Sequence, residues 1–319
     1  MMSLSPRLNS SFVLTDVEIG FLSFVNILFS TFGTLGNTFV CFVFVAYPRL
    51  RCTINKFIFS LACSDLLVCL VGQPMFVVSL VKNYQQKSVL NAFEHARKTL
   101  TWVSLLASAG NLLGVTQDRY VAIVHPLRSG ANRQKVAAFF VTIVWVFAIC
   151  VGIGTEFSPV MKMVGQGYVF VVVMCLILPF YCRILSVARR HKRDILAQTV
   201  EFTSVGDHAM LPSRRGEREA HADTNRKSVK TVGLICVVFI VGWFPLLVLP
   251  FLYRSNFRNR NIMFSLFQWV NTLALCSSAV NPIVYSWTDR KFRKALKMVY
   301  ARWVAKRLVL SQLSSENCS

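Results

Sequence analysis

Between Glu18 and Arg49 the chain runs for 30 residues, 19–48, without one charged side chain. A helix of about 20 mostly apolar residues crosses the hydrocarbon of a bilayer, so this stretch alone argues against a soluble fold. The pattern recurs. Asp65 is the only charge between Lys56 and Lys82, and none falls in Lys98–Asp118, Lys135–Glu156, Lys162–Arg183, Lys230–Arg254 or Arg260–Asp289. Seven such intervals predict seven spans. They read as helices and not as barrel strands, which would alternate polar and apolar residues over about ten positions. Composition agrees, since hydrophobic residues make up 54% and charged residues 15%, too few charges to cover a water-facing surface.

Lysine and arginine bias sets the expected orientation. With the N-terminus outside, the outer segments hold Arg7, Lys82, Lys87, Arg97, Lys98, Lys162, Arg254, Arg258 and Arg260, leaving 26 of the 35 basic residues inside. Residues 1–17 are polar, and the first helix is expected to act as its own insertion signal. Asn9-Ser10-Ser11 then forms an outer glycosylation acceptor, whereas the Asn317 sequon lies inside. The net charge of +21 is read as contact with anionic inner-leaflet lipid and not with nucleic acid. All ten cysteines fall within spans or on the inner side, where disulfides are rare.

The predicted architecture is an all-α membrane protein, a seven-transmembrane helix bundle with a short amphipathic inner-face helix. Its expected parts are an outer segment 1–17, the bundle 18–288, a third inner loop at about 193–225, an inner-leaflet helix 289–308 and a cytoplasmic tail 309–319. The amphipathic helix is read from Phe292, Leu296, Val299 and Trp303, which share one stripe among basic residues. Asp65 is the strongest functional candidate on physical grounds, because an ionisable group at mid-membrane needs a partner or a role. Pro245 is expected to bend the sixth span.

Several motifs fall in order along the spans: Gly36-Asn37, Leu61-Ala62-Cys63-Ser64-Asp65, Gln117-Asp118-Arg119-Tyr120, Trp145, Phe239 with Trp243-Phe244-Pro245, and Asn281-Pro282-Ile283-Val284-Tyr285. Together they resemble the class A, rhodopsin-like G-protein-coupled receptors over about residues 18–305. The resemblance implies a non-enzymatic plasma-membrane receptor that signals to heterotrimeric G proteins through opening of helix six. It implies coupling roles for Asp118, Arg119, Tyr120, Leu127, Tyr181 and Tyr285, and a switch made by Phe239, Trp243, Pro245, Asn281 and Pro282. It also implies a regulatory Na⁺ site at Asp65, Ser108, Ser277, Ser278 and Asn281, with a protonated, ion-free network as the alternative. The implied ligand pocket comprises Gln73, Thr101, Trp102, Leu105, Trp243, Leu247, Phe267 and Asn271.

Some positions depart from the family pattern. Glu94 stands where the family places the helix-three cysteine of its outer disulfide, and the second outer loop, about Glu156 to Gly167, is short and lacks cysteine. If Tyr181 is aligned with the family tyrosine, Val173 takes the place of the helix-five proline; alternatively Pro179 is that proline and Tyr181 loses its role. The missing disulfide resembles melanocortin receptors, while the Asn281–Tyr285 motif resembles adenosine receptors. Pro250 and Met75 occupy positions where those two groups place their own ligand-binding residues, so neither ligand carries over. Thr101 takes the aspartate position of amine receptors and Leu275 the lysine position of opsins, so neither a biogenic amine nor retinal is the expected ligand. Nine outer basic residues against four acidic ones (Asp16, Glu18, Glu94 and Glu156) favour a neutral or acidic small molecule, lipid or peptide. The rivals are a receptor-like protein without ligand regulation and a small transporter or channel; the latter would carry internal repeats or several intramembrane charges. With every cysteine in or behind the membrane, a membrane-impermeant reductant is expected to leave thermal stability at the cell surface unchanged. A fall in stability that reverses on reoxidation would require at least two cysteines on the outer side.

Overall fold

The computed structural model describes residues 14–48, 52–85, 90–124, 132–187, 189–190, 193, 229–249, 260–288, 293, 298 and 301. Asn9, Leu127 and Pro250 lie outside these residues, as do nearly all of the expected third inner loop and most of the expected amphipathic helix, including Phe292, Leu296, Val299 and Trp303. Seven helices are long and apolar enough to span a bilayer: α1 Asp16–Ala46, α2 Thr53–Lys82, α3 Asn91–Val124, α4 Arg133–Phe157, α5 Pro159–Val187, α6 Val229–Leu249 and α7 Ile262–Trp287. They match the seven charge-poor intervals one for one. The outward faces carry large apolar side chains such as Phe21, Phe24, Phe32 and Phe42, which suits lipid and not water.

α3 forms the axis of the bundle. Every residue from Val103 to Thr116 is buried, and small residues let its neighbours approach. A Cβ on Gly110 would lie 2.6 Å from Val144 of α4, and one on Gly152 of α4 would lie 2.5 Å from Val103. Such close approach is how helices associate in lipid, where no hydrophobic force drives them together. α1 packs along α7 in the same way. Gly33 faces Cys69 and Ala279, and a Cβ on Gly36 would meet Pro282 at 2.8 Å.

Polar residues complete the α1–α7 seam. Thr15 caps α1 and exchanges hydrogen bonds with Glu18, whose other oxygen accepts from Ser265 Oγ at 2.6 Å and Trp269 Nε1 at 3.3 Å. Deeper along the seam, Asn26 Nδ2 donates to Thr272 Oγ1 at 3.0 Å and Asn37 Nδ2 to the Ser278 carbonyl at 3.2 Å.

Two helices change pitch just before a proline. α2 is π-helical over Leu67–Gly72, where Gln73 N–H bonds the Val68 carbonyl, and Pro74 follows. Continued in that i−5 register, the next bond would join residue 74 to Cys69, but proline has no N–H. Ser30 Oγ of α1 donates to the stranded Cys69 carbonyl at 2.6 Å. In α5 the π segment is Val171–Ile177; Leu178 N–H bonds the Val173 carbonyl, and Pro179 follows. Widening the turn relieves the clash between the proline ring and the preceding carbonyls. Val173, one of the two positions weighed for the helix-five proline, thus lies inside the widened turn that precedes Pro179.

The expected second outer loop is corrected. Between α4 and α5 only Ser158 is non-helical, so residues 159–167 belong to α5. Ser158 closes α4 by donating its N–H to Gly154, then caps α5 by accepting from Val160 N at 3.2 Å, with Pro159 in the first turn. Proline needs no hydrogen-bond partner there, so Ser-Pro makes a corner where a loop was expected. Gly33→Val should overpack the α1–α2–α7 contact and lower stability by roughly 1–3 kcal/mol. Gly20, which has nothing within 4 Å of its Cβ direction, should accept alanine without loss; thermal unfolding in detergent compares the two.

Candidate functional site

Three polar groupings lie along the bundle axis. At the end bearing Asp118, one carboxylate meets two guanidiniums. Arg119 Nη2 donates to Asp118 Oδ2 and Arg133 Nη2 to Asp118 Oδ1, each at 2.7 Å. Arg133 Nη2 also reaches the Asp118 carbonyl at 3.5 Å. The Asp118 side chain is 4% exposed, against 17% for Arg119 and 30% for Arg133. Arg119 Nε is buried without a hydrogen-bond partner among the described residues. Tyr120 turns to α5 and packs on Phe180 at 5.0 Å between ring centroids. Tyr181 places its ring against Gly233 of α6. Tyr285 is buried, and its hydroxyl has no hydrogen-bond partner among the described residues.

Midway along the axis a small cavity, about the size of a single water molecule or small ion, is lined by Asp65, Ser108, Ser277, Ser278 and Asn281, together with Phe239 and Trp243 of α6. All five residues expected around a cation therefore border one space. Asn281 Nδ2 donates to Asp65 Oδ2 at 2.7 Å, and Ser278 also hydrogen-bonds the carboxylate. Ser108 Oγ lies 2.9 Å from Ser64 Oγ, while Ser277 donates to the Ala274 carbonyl at 2.7 Å. Asn281 Oδ1 is buried without a protein partner. A carboxylate with hydroxyl and amide oxygens suits a small hard cation. Asp65 is the one charged side chain among the residues that line the cavity, so its carboxylate balances a monovalent cation. Phe239 and Trp243 approach to 6.4 Å between centroids, tilted by 34°, and both are buried. Pro282 lies inside α7, opposite Gly36.

Towards the Glu18 end lie the residues expected in a ligand pocket. Leu105, Trp243, Gln73 and Asn271 are buried, whereas Thr101, Trp102 and Leu247 are half-buried. Gln73 Nε2 faces Cys276 Sγ at 3.7 Å, and its Oε1 has no partner. Thr101 Oγ1 donates back to the Arg97 carbonyl at 2.9 Å, and the Trp102 ring lies against Gly165 of α5. Phe267 differs from the other seven: at 41% exposed it is the least enclosed of the eight.

Beyond this pocket Glu94 joins α2 to α3, accepting from Ser79 Oγ and pairing with Arg97 Nη2 at 2.8 Å. The Arg97 guanidinium sits 5.8 Å from the centre of the Phe76 ring. His95 pairs with Glu156 and so links α3 to α4. Nine cysteines are described, all as free thiols. Sequence reasoning missed Arg133 and Ser79, and gave Ser64 only as part of a motif, because each meets its partner across helices. The Thr15–Glu18 capping spacing and the Glu94–Arg97 spacing of three were readable locally, but their tertiary partners were not.

Comparison with known proteins supplies the family. The model of the seven-transmembrane receptors of the rhodopsin family matches residues 36–157 and 153–285. The chain is 26% identical over 332 residues to the alpha-1A adrenergic receptor of Oryzias latipes, an alignment covering 92% of this chain and 68% of the relative. It is 27% identical over 303 residues to neuromedin-U receptor 2 of Rattus norvegicus, covering 84% and 72%. The chain spans about two thirds of the length of the alpha-1A adrenergic receptors that it matches. Squid rhodopsin shares the fold with a TM-score of 0.75 at 19% identity, over 95% of this chain and 91% of that one. The chain is a multi-pass plasma-membrane receptor, not an enzyme, and belongs to the rhodopsin family of seven-transmembrane receptors.

Proposed function

We propose that this receptor passes an extracellular ligand signal to heterotrimeric G proteins, with its N-terminus outside and the Asp118 end of the bundle in the cytoplasm. The observation that carries this reading is the ion pair between Arg119 and Asp118 in an almost fully enclosed site. Opening of α6 away from α3 frees Arg119, and the Gα subunit takes its place in the cleft. Tyr181 already lies against α6 at Gly233, and the unpartnered Tyr285 hydroxyl gains a partner when the cleft rearranges. Asp118, Tyr120 and Leu127 complete the coupling surface.

Trp243 and Phe239 connect the two ends, because they border the Asp65 cavity and lie on the helix that moves. Pro245 and Pro282 weaken the backbone of α6 and α7 where they must bend, and Asn281 joins that bend to Asp65. A ligand preferring the open packing shifts the population by its differential affinity alone. Gln73, Thr101, Trp102, Leu105, Leu247, Phe267 and Asn271 form the ligand site with Trp243. Thr101 offers no carboxylate at this turn, and its hydroxyl is turned to its own helix. A neutral or acidic ligand therefore fits better than a protonated amine, although one matched relative is an adrenergic receptor. A polar segment 1–17, with Asn9 as its glycosylation acceptor, precedes the bundle, and the basic stretch 289–308 and the tail 309–319 follow it on the inner side.

Asp65, Ser108, Ser277, Ser278 and Asn281 would hold Na⁺, whose charge would neutralise the buried carboxylate beside Trp243 and Phe239. The same five residues would release it when α6 and α7 repack, so bound Na⁺ would favour the closed receptor.

Arg119→Ala should abolish second-messenger signalling through chimeric Gα subunits while surface expression stays close to wild type. Undiminished signalling from the well-expressed variant would refute the coupling assignment. In purified receptor, NaCl should raise the melting temperature relative to an equal concentration of N-methylglucamine chloride, and Asp65→Asn should erase that difference. A wild-type receptor indifferent to the cation would leave the ion-free polar network as the reading of this cavity.

A further inference from the structure

Asp118 has two partners, yet release of Arg119 needs only one bond to break. We propose that Arg133 is the exchange partner of Asp118: it keeps the carboxylate neutralised when Arg119 leaves, and thereby makes the open receptor accessible. The inference rests on the G-protein-coupling reading above.

The geometry separates the two arginines. Each occupies its own carboxylate oxygen at 2.7 Å, so one can depart without displacing the other. Arg119 leaving an otherwise unpaired Asp118 would strand a charge in a site only 4% exposed, which is strongly unfavourable. Arg133 prevents that. It begins α4, which packs closely on α3 at Gly110 and Gly152 and therefore stays with Asp118 while α6 moves. Lys56 Nζ of α2 donates to the neighbouring Gln134 carbonyl at 3.0 Å, fixing the turn that carries Arg133.

Local helix energetics does not account for Arg133. A cation in the first turn of a helix opposes the helix dipole, whereas an anion there is favoured. The Asp118 carboxylate supplies that anion, so the pair suits the α4 terminus where the arginine alone would not. Two guanidiniums on one carboxylate also repel each other, which loosens the Arg119 grip. Arg119 Nε is buried and has no hydrogen-bond partner among the described residues, so this guanidinium has a donor left to offer to a new partner.

The test measures basal signalling per surface receptor for the full chain and for Arg133→Ala, Arg133→Lys, Asp118→Asn and the double variant Asp118→Asn/Arg133→Ala, with Arg119→Ala as the uncoupled reference. In parallel, spin labels at exposed Val136 on α4 and Lys230 on α6 report the open fraction without any G protein, in a chain with Cys150, Cys175 and Cys182 replaced by serine. Arg133→Ala should lower basal signalling and the open-to-closed ratio by about fivefold, the scale of a typical coupling between sites. Arg133→Lys should recover part of each, because it restores a charge without the planar fork. In the Asp118→Asn background the further Arg133→Ala change should have no effect. A rise in the open fraction on Arg133→Ala would overturn the proposal and make Arg133 part of the closed lock. An equal effect of Arg133→Ala with and without Asp118 would also overturn it. If Arg119→Ala signals like wild type, the coupling reading fails, and the spin-label ratio still decides the role of Arg133.

Discussion

A carboxylate at the centre of a bilayer must be answered by the protein around it, and Asp65 sets the packing of the middle of this bundle. Its residue is 1% exposed, so no lipid headgroup or bulk water reaches it. Asn281 and Ser278 of α7 supply hydrogen bonds, while Ser108 of α3 is engaged by Ser64 of α2. Three helices thus converge on one charge, and α6 closes the remaining side with Phe239 and Trp243. Any change in the position of α6 alters the surroundings of that charge, and any change in the charge alters what α6 packs against.

The rest of the bundle shows how helices are held where hydrophobic force is absent. Backbone approach at Gly33, Gly36, Gly110 and Gly152 supplies dispersion contact, and side-chain bonds from Glu18, Asn26 and Asn37 stitch α1 to α7. At the Glu18 end, Glu94 and His95 tie α3 to α2 and α4. These contacts reach from helix to helix without a covalent link, and they sit where α3 would otherwise be held only at its deeper, apolar turns. A polar clamp of this kind holds position but can open, which a disulfide cannot do without redox chemistry.

The fold was legible in the sequence because the bilayer imposes a length and a charge rule that ordinary folds do not. Seven intervals between charges became seven helices, and the residues expected around Asp65 do border one cavity, since helical periodicity carries positions faithfully over the short distances between motifs. Legibility failed where the chain turns and where helices meet. The Ser158-Pro159 corner falls inside the stretch Glu156 to Gly167 expected as a loop, because charges mark the ends of spans and say nothing of how the chain turns between them; only the cap geometry reveals a continuing helix. The widened turns before Pro74 and Pro179 were invisible because proline usually announces a kink. The relief of strain instead depends on which neighbour, such as Ser30 for Cys69, can answer the freed carbonyl. Arg133 was missed because fourteen residues separate it from Asp118, and no periodicity spans that gap.

The distribution of unsatisfied groups bears on how this packing works. Buried polar atoms in folded proteins are nearly always paired, yet Arg119 Nε, Asn281 Oδ1, Tyr285 hydroxyl and both polar atoms of the Asn111 amide have no protein partner. These five lie on α3 and α7, which border the Asp65 cavity; further ones lie on α1, α2 and α4, at Ser23, Asn26, Asn37, Gln73 and Glu156. A bundle optimised for one arrangement alone would bury apolar side chains at these places. Retaining polar groups with unused capacity costs stability in this packing and lowers the energy of another in which they are paired. Such a cost is tolerable where two arrangements of similar energy are required.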